Sequence, residues 1–251
     1  MNSLAISSTV FAIVVGGTMV GMLLRAVLPQ HHLSNETKDV VKMGMGLIAT
    51  MTALVLGLLI SSAKSSFDAL SNELTGTSSK VILPDRTLAR YGPETKEVRD
   101  LLRSVVAGVV DRMETKKLTM PSQVRTANRE IDEVYDKIQG LSPKDDRQRS
   151  IQGRALGILS SLQEARWLIY EHESTSISMP MLIILVSWLT TLFMSFGLFA
   201  PANGTSVTAL LVSAFSVSGA ILLILDLYSP YGGLIKISSA PLRAALTQLG
   251  N

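Results

Sequence analysis

Residues 174–225 read STSISMPMLIILVSWLTTLFMSFGLFAPANGTSVTALLVSAFSVSGAILLIL, a stretch of 52 residues without one Asp, Glu, Lys or Arg. About 20 apolar residues carry a helix across the hydrocarbon of a bilayer, so this stretch is too long for a single crossing. It breaks at Pro201-Ala202-Asn203-Gly204-Thr205-Ser206, a turn-forming cluster. Two spans follow, about 180–200 and about 207–225. The same length test finds two more. One covers about 4–28, with Arg25 near its end and Pro29 stopping it; the other covers about 43–63, in the uncharged run between Lys42 and Lys64. The first span has no Lys/Arg-bearing leader, is longer than the apolar core of a signal peptide and precedes no clear small-residue cleavage site, so it is expected to stay as a membrane anchor.

Charge tells the same story from the other side. Of 43 charged residues (23 Lys plus Arg, 20 Asp plus Glu), 35 fall within residues 64–173. A single soluble globular domain is excluded. The expected fold is an all-α membrane protein with four transmembrane helices in two hairpins and a helical cytoplasmic domain inserted between spans two and three. Its segments are a first hairpin at 1–63, the polar domain at 64–179, a second hairpin at 180–228 and a cytoplasmic tail at 229–251. Lys64, Lys236 and Arg243 flank spans on the side of the insert, while the hairpin at 201–206 is uncharged, which by the positive-inside tendency makes the insert side cytoplasmic. Lys38 and Lys42 in the first hairpin argue the other way and are partly offset by Glu36 and Asp39. The insert holds 18 basic and 17 acidic residues with no Lys/Arg block, so a nucleic-acid partner gains no support. The chain has no cysteine, which removes disulfides, thiolate zinc sites and a cysteine nucleophile.

Within the insert, apolar residues recur at helical spacing: Val98, Leu101, Leu102, Val105, Val106 and Val109, then Val124, Ile131, Val134 and Ile138, then Ile151, Leu156, Leu159 and Leu162. Pro93 and Pro121 suit first-turn positions. Ser142-Pro143 before Asp145 and Asp146 reads as an N-cap, a proline at N1 and first-turn acids. Nothing breaks the chain from Ala63 to Val81, where Phe67, Leu70 and Leu74 keep the period, so the second span should continue as one long helix. The last insert helix, about 143–174, should run back toward the third span.

At 100° per residue, Gly46, Thr50, Gly57, Ser61, Lys64 and Asp68 fall within about 40° of one line on the second span, with Leu54 and Met43 at its edge. Such a face must turn toward protein or water. One reading is a pore wall, with hydroxyls from Thr50 and Ser61, an apolar constriction at Leu54, small Gly57, and a ring of positive charge at Lys64 if several copies surround an axis. The simpler reading is close helix packing through small residues. Gly17 and Gly21 form a GxxxG packing signal on the first span. Asp226, at the end of the fourth span, opposes the helix dipole and is costly to dehydrate; it should be paired, with Lys64, Lys236 and Arg243 on the same expected side, or else mark a proton or cation site. Arg25 reads as an interfacial anchor that snorkels, and Asn203-Gly204-Thr205 as a turn more than a glycosylation site.

Catalysis has little to stand on, and the chain is not expected to be an enzyme. His31 and His32 are adjacent and cannot share a helix face, His172 is remote from them, and no metal-ligand spacing or Gly-rich phosphate loop appears. Gly153-Arg154-Ala155-Leu156-Gly157 lies in a helical pattern as a packing feature. No cofactor is implied.

The stretch Leu225-Asp226-Leu227-Tyr228-Ser229-Pro230-Tyr231-Gly232-Gly233, followed by Ile235-Lys236-Ile237-Ser238-Ser239-Ala240-Pro241-Leu242-Arg243-Ala244-Ala245-Leu246, resembles the closing signature of the bestrophin-like family of bacterial membrane proteins. Gly197-Leu198-Phe199-Ala200-Pro201-Ala202-Asn203 and Leu56-Gly57-Leu58-Leu59 are similar to the same family, and the resemblance spans the chain from the first span to Leu246. It implies a multi-pass protein of the inner membrane with two hairpins around a helical cytoplasmic region. By the more distant likeness to bestrophins it implies a ring-shaped homo-oligomer, with a pentamer as the expected size, that conducts anions such as chloride along a pore lined by the second span. Bestrophins narrow that pore with large apolar and aromatic side chains; the second span here offers Leu54 and Ile60, no Phe before Phe67, and no acidic calcium clasp follows the fourth span. The alternative is a non-conducting scaffold or signalling protein whose helical insert docks a partner.

Overall fold

The computed structural model of the chain describes residues 3–29, 34–115, 121–173, 179–201, 203–229 and 233–250, and only the backbone of 121–128 and 165–173. His31, His32, Ala202 and Pro230 to Gly232 of the C-terminal motif lie outside the described residues, as do the side chains of Val124 and His172. Eight α-helices are seen among the described residues, and no strand: α1 Ser3–Val27, α2 Asn35–Ala89, α3 Lys96–Glu114, α4 Pro121–Gln139, α5 Asp146–Glu173, α6 Met179–Phe199, α7 Gly204–Leu227 and α8 Ala240–Gln248. The fold is all-α, and four helices, α1, α2, α6 and α7, are long and apolar enough to cross a membrane. The chain divides into two compact units, Met1–Ser65 with Ser176–Tyr228, and Ser66–Thr175 with Ser229–Asn251.

In the first unit, α1 buries Ser7, Val10, Val14, Gly17, Thr18 and Gly21, a three-and-four spacing that makes one seam. The seam meets α6, which buries Leu182, Leu185, Leu189 and Leu192 at the same spacing. Glycine makes this approach possible. A Cβ at Gly17 would come within 2.9 Å of Thr190 Cγ2 and one at Gly21 would overlap the Met194 carbonyl; a Cβ at Gly197 would overlap the Thr18 carbonyl in return. The pairs Gly17–Thr190 and Gly21–Met194 advance together, so α1 and α6 run parallel. Against α7 the order reverses: Ser7 Oγ donates to the Ser218 carbonyl at 2.7 Å, and Phe11 meets Phe215 edge-on at 6.4 Å. A parallel α1 and α6 with an antiparallel α7 is the alternation that successive crossings produce.

The ends of these helices are closed by side chains. Arg25 donates to the Ala200 carbonyl at the C-terminal end of α6, where main-chain acceptors lack helical partners, so it ties α1 to the α6–α7 hairpin and is more than a snorkelling anchor. Asn203 caps α7, its side chain accepting from the Ser206 N–H at 2.8 Å. Ser34 caps α2, accepting from the Thr37 N–H at 3.2 Å, and so starts that helix well before the apolar run. α2 then continues for 55 residues, passing Pro84 without ending.

The second unit closes over one apolar core. Leu70, Leu74, Val81 and Leu88 of α2 pack with Val98, Leu102, Val105, Val106, Val110 and Met113 of α3, Val134 and Ile138 of α4, and Ala155, Leu159 and Leu162 of α5. Ile237, Leu242 and Leu249 from the C-terminal segment complete it. After α2 the chain turns through Gly92, whose φ of 146° lies where a side chain is strained. Thr95 Oγ1 donates to the Leu88 carbonyl at 2.8 Å and closes the turn. Partly buried ion pairs then join the helices. Arg99 grips Asp85 at 2.7 Å through Nε, and Arg112 grips Glu130 at 2.7 Å.

Two local expectations are corrected. Ser142-Pro143 does not start α5: the helix begins at Asp146, and Asp145 is the cap, its carboxylate accepting from the Gln148 N–H at 2.7 Å. A charged acceptor at the N-terminus outcompetes the serine hydroxyl three residues earlier. Gly153 and Gly157 are not packed within the chain, since a Cβ at either would meet nothing within 4 Å.

Candidate functional site on α2

The side of α2 held by its own chain is set by Thr52, Leu59 and Ala63, all buried at 5 % exposure or less. At 100° per residue these three share a sector of roughly 40°, and Gly46, Thr50, Gly57, Ser61 and Lys64 lie on the side opposite to it. Every one of those five is exposed. α2 is also the least covered of the spanning-length helices: 11 % of its most apolar window is buried, against 39 % for α6. Leu47, Met51 and Leu58 form an exposed apolar flank along one border of the polar line, and exposed Leu54 stands between that flank and the line.

The glycines show that this face is not an intrachain packing surface. A Cβ built at Gly46 or Gly57 meets nothing within 4 Å, whereas Gly17 and Gly21 press against α6 backbone. The same residue type thus does two jobs. On α1 it brings helices together; on α2 it faces open space. Thr50 donates its hydroxyl to the Gly46 carbonyl at 2.8 Å, so its remaining lone pairs are what it can turn outward.

Asp226 is 4 % exposed at the C-terminal end of α7. Tyr228 follows it and shares a hydrogen bond of 3.3 Å with Ser62 of α2. In the second unit, Arg243 pairs with Glu114, to which Ser239 also donates at 3.1 Å. These bonds, the Arg243 guanidinium first, hold the Glu114 carboxyl below its usual range. Lys236 is exposed. The sequence offered Arg243 as one candidate partner for Asp226; in the structure its guanidinium goes to Glu114. Ser62, Tyr228 and Gly197 were not singled out by role; an exposed serine, a terminal tyrosine and a lone glycine carry no spacing signal. Among the described residues no group of three or more His, Cys, Asp or Glu could hold a metal ion.

Four spanning-length helices, three of them packed on one another and the fourth open along a polar line, define a multi-helix membrane protein. The profile of the bestrophin-like domain matches residues 11–242, and the chain belongs to the bestrophin-like family. No curated protein matches it significantly. Crystal structures of mutated forms of a bacterial bestrophin homologue from Klebsiella pneumoniae share the fold at low sequence identity. One superposes with a TM-score of 0.58 at 14 % identity, over 99 % of this chain and 97 % of that one. A second gives 0.58 at 14 % over 94 % and 98 %, and a third 0.56 at 13 % over 95 % and 99 %.

Proposed function

We propose that copies of this chain assemble in the bacterial inner membrane into a channel whose wall is α2, and that it conducts anions, chloride among them. The observation that carries the reading is the opposition of faces on α2. The chain covers Thr52, Leu59 and Ala63 and leaves Thr50, Gly57, Ser61 and Lys64 open on the far side. A polar line bordered by apolar side chains is unfavourable against acyl tails and favourable against water, and a ring of copies gives it water while their flanks meet one another. Leu54, 70 % exposed within the chain, is the apolar constriction. Lys64 supplies the positive charge near the inner mouth. Membership in the bestrophin-like family supports the ring and the anion, with a pentamer as the expected assembly. In this reading residues 64–179 form a helical domain on the cytoplasmic side, with both termini and the 229–251 segment, and the protein is not an enzyme.

The test is electrical. Purified protein in planar bilayers should carry current with a preference for chloride over potassium, and Lys64→Glu should shift the reversal potential toward the cation. Silence across salt and voltage in a preparation shown to be oligomeric refutes conduction, and an unchanged reversal potential in Lys64→Glu refutes the role of Lys64.

A further inference from the structure

The motif Leu225-Asp226-Leu227-Tyr228 is left without a task by a pore wall made of α2 alone. Its last residue touches that wall. Tyr228 Oη lies 3.3 Å from Ser62 Oγ. The base from which the tyrosine reaches is firmly held: Ile224, Asp226 and Leu227 are all buried, and the Tyr228 N–H closes the helix on the Ile224 carbonyl at 3.3 Å. On α2, Ser62 stands about 100° from buried Ala63 in one direction and about 100° from open Ser61 in the other. It marks the rim between the covered and the open face.

Contacts at that covered face resist separation of α2 from its chain, but apolar burial is non-directional and does little against rotation about the helix axis. A hydrogen bond at the rim is directional. We propose that Tyr228 is a positioning residue for α2: through Ser62 it sets the azimuth of the helix, and with it the side from which Ser61 and Lys64 face the lumen. The proposal rests on the channel reading above.

The chain has no cysteine, so Ser61→Cys introduces a unique thiol. The rate at which a membrane-impermeant anionic methanethiosulfonate modifies it in reconstituted vesicles reports the azimuth of Ser61. It is measured in Ser61→Cys alone, with Tyr228→Phe, with Ser62→Ala, and with both. Phenylalanine keeps the ring and removes only the hydroxyl. Each added substitution should slow modification by no more than roughly two- to thirteenfold, the change in equilibrium constant that one neutral hydrogen bond commands, and the combination should go no further than either. A rate unchanged by Tyr228→Phe, or effects that multiply, overturns the proposal while leaving the lumen intact. A thiol that reacts only after unfolding sinks the channel reading and the positioning role with it. Should Tyr228→Phe alter the elution profile in detergent, Ser62→Ala decides, since it removes the same bond from the other side.

Discussion

Replacing Asp85 should destabilise the second unit more than any surface charge can. The carboxylate is wholly buried. Its oxygens accept from Arg99 Nε at 2.7 Å and Nη2 at 3.2 Å, and from the Gly250 N–H at 3.2 Å. Asp85→Ala leaves a guanidinium whose side chain is 20 % exposed, and the Gly250 N–H, without their acceptor. Removing one partner of a buried pair costs about 3–5 kcal/mol; because Arg99 keeps some access to water, the lower end, about 3 kcal/mol, applies. For a chain of this size that corresponds to a melting temperature lower by roughly 6–12 °C. Thermal scans of the detergent-solubilised protein by circular dichroism read it directly, with Glu94→Gln, which breaks only the exposed pair with Lys144, as the control that stays close to the parent. Asp85→Leu combined with Arg99→Met should regain most of the loss, since no charge is then stranded. A single-variant shift below about 2 °C, or a double variant worse than either single, would refute the account of Asp85 as the partner that makes a buried arginine tolerable.

Gly21→Ala should lower the melting temperature by several degrees because its Cβ collides with the Met194 carbonyl, an overpacking cost of about 1–3 kcal/mol; Gly57→Ala, whose Cβ meets nothing within the chain, should leave it level and change conductance instead. Asp145→Ala removes the cap of α5 and should cost about 1 kcal/mol, measurable as a shift of a few degrees. Glu94, Glu97 and Glu114 are held below the usual value near 4.5 by Lys144, Lys137 and Arg243. Depressed carboxyl pKa values contribute stability above the unfolded value and lose it as pH falls through the folded ones. Melting temperature should therefore be level from pH 7 to about 5 and drop below about 4.5, with a shallower drop when all three are glutamine or when salt is raised.

The spans were legible because membrane crossing is written in local composition. Exclusion of charge over a fixed length located α1, α6 and α7 to within a few residues of their observed ends, and the unbroken period through Phe67, Leu70 and Leu74 announced that α2 continues past its apolar run, though neither its start at Asn35 nor its end at Ala89. What the sequence concealed is tertiary. Asp85 lies in an apolar stretch, and its arginine follows 14 residues later across a turn, at no spacing that a single helix would display. The glycine pair on α1 was visible as a motif, but Gly197, which returns the contact from α6, stands alone in its segment. Ile237, Leu242 and Leu249 lie in a stretch that reads as a tail after the last span until they are seen in the core. At the start of α5 the sequence placed the cap at Ser142, and only the geometry of the Gln148 N–H moves it to Asp145.

The polar line on α2 could be read from helical phase alone, but its meaning could not, because small residues serve both close packing and open walls. The two glycine sets differ in one measurement, the space beyond a hypothetical Cβ, so packing within the chain accounts for the first set and not the second. On α1 that space is filled by α6 backbone; on α2 it is empty. An isolated chain in a bilayer would thus set Thr50 and Ser61 against acyl chains, with Lys64 escaping toward the interface. Hydroxyls in lipid do find local acceptors, as Thr50 does on the Gly46 carbonyl, so the penalty per residue is modest and cannot by itself enforce assembly. The apolar flank at Leu47, Met51 and Leu58 adds the missing term. In a bilayer such a flank gains nothing from hydrophobic burial, and association must come from packing and lipid entropy. Substitutions of Leu47 or Met51 by Ala should therefore weaken oligomers in nanodiscs while leaving the fold of the single chain untouched. If those variants keep the parent's assembly state, the flank faces lipid and the polar line beside it needs another neighbour than a second copy.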